Sequence, residues 1–362
     1  MPDWSASMKQ TFEYYIVDPV TWKDKKRLEN VKSSSIQWDD EADTLGSAAI
    51  DIDDSIGENY IRIYLITVQN GVTEKHPLGT FLVQTPGLNF DGKNTTISAD
   101  AYTPLLELKE NPPPIGFAIP KNKNIMDEAY NLVSAYLRAP VVKPKSSKTL
   151  IYDFVANTDD TWLTFIKDLI ANAQYKFGLD ELSRIIFEPK QDTASLQPVW
   201  TYTDDNSSIL YPDANIDRDL YNIPNVVEVL YSTNDKIYYS RVVNDKASSP
   251  VSTVNRGREI LHRVTDPDLN GISSDSQTIE NLVKEYAEKL LSELSSLEYT
   301  ISYTHGYCPV RIGDCVRFNH KRFKHENFNL MNVKAKVISQ SIKCEPGCPV
   351  SEKAVYTIKL WE

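Results

Sequence analysis

Histidine, glycine, cysteine and positive charge are all scarce in this 362-residue chain, and each scarcity removes a class of function. There are five histidines, His76, His262, His305, His320 and His325, and no GxSxG elbow or HExxH pair accompanies them, which argues against hydrolase and zinc-protease chemistry. The 13 glycines form no phosphate-cradling loop, so nucleotide chemistry has no anchor. Four cysteines in so long a chain are not the framework of a disulfide-stapled secreted protein. Lys and Arg number 39 against 50 Asp and Glu, a net charge of −11, so the field of the whole molecule repels phosphate and disfavours sequence-independent nucleic-acid binding. No run of eighteen apolar residues is present to insert as a helix, so no membrane insertion by this chain is expected. The opening MPDWSASMKQTFEYYIV places Asp3 and Lys9 where a signal peptide needs an apolar run, which points to synthesis in, and retention by, a cytoplasm.

What remains is an ordinary globular composition, 41% hydrophobic with 20 tyrosines, long enough for two or three domains. The first hundred residues read as strands: Phe12 to Val17, Ala48 to Ile52, Ile61 to Val68, Gly79 to Gln84 and Asn94 to Ser98 are β-branched or aromatic runs. Turn residues separate them, among them Asp18-Pro19, Pro86-Gly87, Asp91-Gly92 and above all Asn70-Gly71, the strongest hairpin signal. A short helical piece, Tyr102 to Lys109, precedes the break Asn111-Pro112-Pro113-Pro114. Helical spacing then runs from Ile125 to Leu137 behind a cap at Asn124, and again from Trp162 to Ile170 behind Asp159 or Asp160, ahead of strands near Tyr175 and Arg184 to Phe187. Strand alternation returns at Trp200 to Val243, a long amphipathic helix covers Ile279 to Leu297, and four strands close the chain at 299–303, 315–318, 333–339 and 354–361. The fold class expected is α+β, mainly β, with two barrel-like antiparallel β domains, an inserted helix–hairpin unit and a long helix.

These segments imply an interleaved division: 1–110 with 190–240 as a first barrel, 111–190 as the helix–hairpin insertion and part of a second domain, 241–297 as linker and long helix, and 298–362 as the C-terminal β-unit. Two charged stretches invite chemistry. Asp51-Ile52-Asp53-Asp54 reads as a solvated strand face, with a cation site or a carboxylate pair of a hydrolase as the sharper alternatives, and the basic loop Lys143 to Lys148 reads as a surface loop. The aromatic excess leaves a carbohydrate-binding module as another reading.

One constellation carries chemistry by residue type. Cys308, Cys315, Cys344 and Cys348 fall within the final 55 residues as C-x6-C and C-x3-C, and Cys344-Glu345-Pro346-Gly347-Cys348 is a turn that aims two sulfurs inward. Clustering in a reducing compartment favours thiolate metal ligands over disulfides. Neither a zinc knuckle nor a ferredoxin spacing is matched, so an iron–sulfur cluster, zinc, disulfides and ordinary thiols all stay open.

The order of these pieces resembles a family. A strand-rich start is followed by DDTWLTFIKDLIANAQYKFGLDELSRIIFEP, YNIPNVVEVLY, SSPVSTVNRGREI, a long helix and CPVRIGDCVRF. That succession is similar to the tail-hub or baseplate-hub proteins of bacteriophages, contractile injection machines and the hub part of tail-associated lysins. Its telling pieces are Asn225-Val226-Val227, Ser249 to Thr253 and Ile312 to Val316. The resemblance implies a homotrimeric ring at the virion tail tip, with two barrel-like domains per subunit. Such a ring joins a six-fold tail tube to a three-fold spike or fibre. The partners implied are a distal tail or tail-tube protein, a tape-measure protein and the spike, with DNA passing transiently through an acidic lumen. Because no peptidase or lysozyme domain follows the last strand, a structural hub without enzymatic activity is expected, with the hub module of a lysin as the alternative. Some relatives bind a four-iron cluster, which keeps the cysteines in view.

Overall fold

The computed structural model describes every residue except 1, 54, 55, 91, 94, 192, 219, 234, 235, 268–275, 326, 327, 361 and 362, and only the backbone of 194, 276, 277, 324, 325, 328, 329 and 359. Asp54, Asp91, Asn94, Trp361 and the His325 side chain, all used in the sequence reading, thus lie outside the described structure. The chain is mainly β with five α-helices among the described residues, the α+β class expected. It divides into two compact units, residues 1–214 with 303–354 and residues 215–302 with 355–362.

In the first unit seven strands follow one another: β1 (Lys9–Val17), β2 (Asp24–Leu28), β3 (Val31–Asp39), β4 (Gly46–Ile52), β5 (Tyr60–Gln69), β6 (Val72–Phe90) and β7 (Thr95–Tyr102). Their order in the sheet is β3-β4-β7-β6-β5-β1-β2, and every neighbouring pair is antiparallel. Asn70 and Gly71 make the predicted hairpin turn, with φ of 51° and 79° and Gln69 opposite Val72, the two positive values a type I′ turn requires. β5 is buried along its first eight residues, so its IYLI run faces protein on both sides. Arg62 sits just before that run, within the buried stretch, and is 3% exposed. It is tolerated because Asp24 Oδ1 at 3.0 Å, Thr80 Oγ1 at 2.8 Å and the Trp22 carbonyl at 3.2 Å accept from its guanidinium.

Two helices and a hairpin form the inserted unit. Helix Ile125–Tyr136 starts where Asn124 Oδ1 accepts from the amides of Met126 and Asp127, both at 3.0 Å, as the sequence predicts. Helix Trp162–Ala171 is capped not by Asp159 or Asp160 but by Thr161, whose Oγ1 accepts from Thr164 N while Thr164 Oγ1 accepts from Thr161 N. Asp160 instead accepts from the Asn157 amide one turn earlier. Both helices pack with the hairpin Tyr175–Leu179/Ile185–Pro189 around Trp162, Phe165, Ile166, Leu169 and Ile170, each at most 1% exposed. Each such side chain contributes roughly 1.5–3 kcal/mol by leaving water.

The second unit centres on a three-stranded sheet in the order Ile237–Val243, Val226–Ser232, Leu261–Thr265, the last pairing parallel to the middle strand. Ile279, Val283, Ala287 and Leu291 recur every fourth residue along helix Ser276–Leu294 and bury one face on Val227, Val229 and Tyr238. The helix ends at Leu294 and not at Leu297, because the strand Ser296–Gly306 has by then begun.

Candidate functional site

The structure separates the four cysteines into different surroundings. All four are free thiols. Cys308 and Cys315 are 1% and 2% exposed. Cys315 opens the strand Cys315–His325 with its sulfur against the Val316 carbonyl at 3.8 Å, and burial pushes its thiol up. Cys344 and Cys348 share a different core, with Tyr14, Ile36, Ile342 and Val350. Among the described residues no group of three or more His, Cys, Asp or Glu side chains stands together in a way that holds a metal ion.

Cys308 belongs instead to a buried polar centre that the sequence reading did not find. Glu352, 2% exposed, accepts from the Tyr303 hydroxyl, from Gln340 Nε2 and, at 3.3 Å, from the Tyr202 hydroxyl. His305 Nε2 lies 3.2 Å from its Oε1, and the other ring nitrogen donates to the Gly306 carbonyl at 2.7 Å, with the Cys308 sulfur 3.9 Å away. Both ring nitrogens thus face acceptors, the arrangement of an imidazolium. Burial opposes that charge, but contacts with Cys308 and Glu352 outweigh it and raise the His305 pKa from 6.5 to about 10. Burial likewise opposes a charged Glu352, and His305, Tyr303 and Gln340 hold its carboxyl below the ordinary value. His305 is wholly buried, so the Cys–His–carboxylate trio ties its strands together inside the core. The signal was legible in principle: strand alternation puts Glu352 in phase with Val350 and Ala354, on the buried face of Pro349–Lys359.

A second charged group ties the inserted hairpin to the sheet. Asp40 accepts from Lys176 and, at 2.9 Å, from Lys336, and Glu188 lies 3.7 Å from Lys176. Burial raises a carboxyl, but at Asp40 the two ammonium groups outweigh it, while Glu188 is pushed up by burial and by the charges of Asp40 and Asp314. These four side chains line a cleft of about 550 Å³ with Ile312, Gly313 and Asp314.

The family-like motifs resolve into backbone clamps. Asn225 is fully buried; its Nδ2 donates to the carbonyls of Val251 at 3.1 Å and Arg258 at 3.0 Å, and its Oδ1 accepts from Ile260 N at 2.7 Å. Ser252 Oγ caps the short helix Thr253–Arg256, which Gly257 ends at φ 62°. Gly313, at φ 89°, donates to the Val337 carbonyl while Val337 donates back to Asp314. Each motif fixes a loop against a strand. The remaining sequence candidates carry no convergent chemistry. Asp51 accepts from Ser33 and Ser98, Asp53 pairs with Lys32 at 2.6 Å, and Lys143 pairs with Asp127 at 2.9 Å. Trp22, Trp38 and Trp162 are engaged by Tyr60, Phe81 and Phe117, so these rings serve cores and not a sugar platform.

No family model and no curated protein matches the chain. Solved structures do match, over nearly its whole length. A tail protein from Neisseria meningitidis MC58 superposes with a TM-score of 0.64 at 12% identity, covering 96% of both chains. The 43 kDa tail protein of prophage MuSo2 from Shewanella oneidensis gives 0.59 at 9% identity, covering 96% of this chain and 98% of that one. A chain of the Francisella PdpA–VgrG complex gives 0.57 at 9% identity, with 96% of this chain lying on 58% of that one. The fold is therefore that of phage tail proteins and of part of a VgrG-type assembly, consistent with the hub resemblance of the sequence.

Proposed function

We propose that the chain is a structural, non-enzymatic hub component of a phage or phage-like tail tip. The observation that carries this reading is the end-to-end match with a tail protein, 96% of each chain at a TM-score of 0.64. In this role three copies form a ring whose six β-units meet a six-fold tail tube on one side and a three-fold spike or fibre on the other. A distal tail or tube protein, a tape-measure protein and the spike are its partners, and the net charge of −11 suits a lumen through which phosphate slides without adhering. The buried Glu352 centre and the ion pairs of Asp40 support a structural role, since each binds separate segments of the chain together. The match to 58% of a longer chain favours one further form of the reading, in which the same hub is a module of a larger protein.

Light scattering on the purified protein tests the trimer. The expected mass is about 123 kDa, three times the 41.1 kDa chain. A mass near 41 kDa at micromolar concentration overturns the ring.

A further inference from the structure

We propose that Cys344 and Cys348 are a latent dithiol that closes as an intrachain disulfide across the mouth of a hairpin when the protein meets a peroxide. Strands Phe328–Lys343 and Pro349–Lys359 are hydrogen-bonded neighbours in one sheet, and only residues 344–348 link them. So short a link makes the pair an antiparallel hairpin, in which the first and last loop residues stand opposite each other just beyond the final strand pair. Gln340 Nε2 donates to Glu352 across the same pair, which in register sets 344 opposite 348, and opposed residues of an antiparallel pair have Cα atoms about 4.5–5.5 Å apart, inside the 4.4–6.8 Å a disulfide spans.

Opposition alone is not enough, because the two side chains must also leave the same face. They do: both cysteines pack into one core cluster, Cys348 wholly buried and Cys344 at its margin. The loop is held in this form by Cys348 N donating to the Glu345 carbonyl at 2.8 Å and Cys344 N donating to the Ser34 carbonyl at 3.0 Å. Gly347 at φ 90° and Cys348 at φ 38° turn the chain so that the second sulfur points inward. Burial pushes the Cys344 thiol up to about 12 and Cys348 higher still, so both stay protonated and slow to react at neutral pH. Cys308 and Cys315 lie in other surroundings and take no part.

Cys344, the more accessible, is oxidised first. Its thiolate sulfur attacks one oxygen of hydrogen peroxide, giving the sulfenic acid and hydroxide, which takes up the thiol's proton to leave as water. The Cys348 thiolate then displaces hydroxide from that sulfur, forming the S–S bond and a second water. One peroxide is reduced to two waters while two thiols become one disulfide.

Trypsin cleavage after Lys343 and Lys353 isolates both cysteines in one peptide, CEPGCPVSEK. Reduced, folded protein is treated with dilute hydrogen peroxide over hours, free thiols are then alkylated, and the peptide is weighed without reduction. The proposal expects this peptide to lose about 2 Da, the mass of two hydrogens, and to resist alkylation while Cys308 and Cys315 remain alkylatable. In Cys348→Ser the loss disappears and Cys344 carries added oxygen. Sulfinic or sulfonic acid on Cys344 in the unsubstituted protein, with Cys348 still a free thiol, overturns it. So does a disulfide that forms in urea but not in the folded chain, or iron or zinc bound at these sulfurs.

Discussion

Replacing Glu352 by Gln keeps the size of the side chain and removes the charge that His305 answers. Two of the four groups around the carboxylate, the Gln340 amide and the His305 ring N–H, then face an amide that accepts through one atom only. The rise of the His305 pKa from 6.5 to about 10 sets the upper scale: at 1.36 kcal/mol per pKa step it corresponds to about 5 kcal/mol of preference for the charged ring in the folded state. Removing one partner of a buried ion pair costs roughly 3–5 kcal/mol in general, and we expect Glu352→Gln to fall in that range. Because His305 binds its proton more tightly folded than unfolded, the stabilisation is complete below pH 6.5 and declines as pH rises towards about 10. Urea denaturation of the first unit, followed by tryptophan fluorescence at several values between pH 6 and 10, reads both effects. The variant should be less stable at pH 6 and show a flatter decline above it. A loss under about 1 kcal/mol, or an unchanged decline with pH, refutes the assignment of a charged pair.

Three further substitutions probe the clamps. Asn225→Ala removes the three hydrogen bonds that a fully buried side chain makes to backbone and should cost at least ~3 kcal/mol, with fast amide exchange at Ile260 as the local readout. Gly79→Ala places a methyl 2.7 Å from Phe81 and 2.8 Å from Trp38 at φ +148°, so a loss of ~1–3 kcal/mol in thermal or urea unfolding is expected. Asp40→Ala removes the carboxylate shared by Lys176 and Lys336, leaving Glu188 3.7 Å from Lys176, and should cost ~1–3 kcal/mol at pH 7. Since the Asp40 carboxyl is held below its ordinary 3.8, that difference is present above pH 3.8 and vanishes as the pH falls further, which titrated melting curves of the two proteins will show.

Elements specified by neighbouring residues were legible in the sequence, and those specified by distant ones were not. Asn70-Gly71, the Asn124 cap and the apolar stripe of the long helix each act within a few residues, and the structure has them where the pattern put them. β2 and β3 were missed. DKKRL is a lysine-rich edge strand, a composition that protects an open edge and hides the strand signal, and VKSSSIQWD lacks the β-branched run that marks a strand. Asn225 could be singled out as part of a motif, but its role rests on carbonyls 26 and 33 residues later. The cysteines are the converse case. Four thiols within 55 residues are close in sequence, yet Cys308 lies beside His305 in the Glu352 centre while Cys344 and Cys348 pack with Tyr14 and Ile36. Proximity along a β-rich chain is weak evidence of proximity in space, because alternate residues leave opposite faces.

The central claim is that this chain builds an open ring, and electron microscopy of the purified protein examines it most directly. The account predicts particles of three copies whose end-on averages show six lobes around a central channel. Single copies, or closed assemblies with no channel, would contradict it.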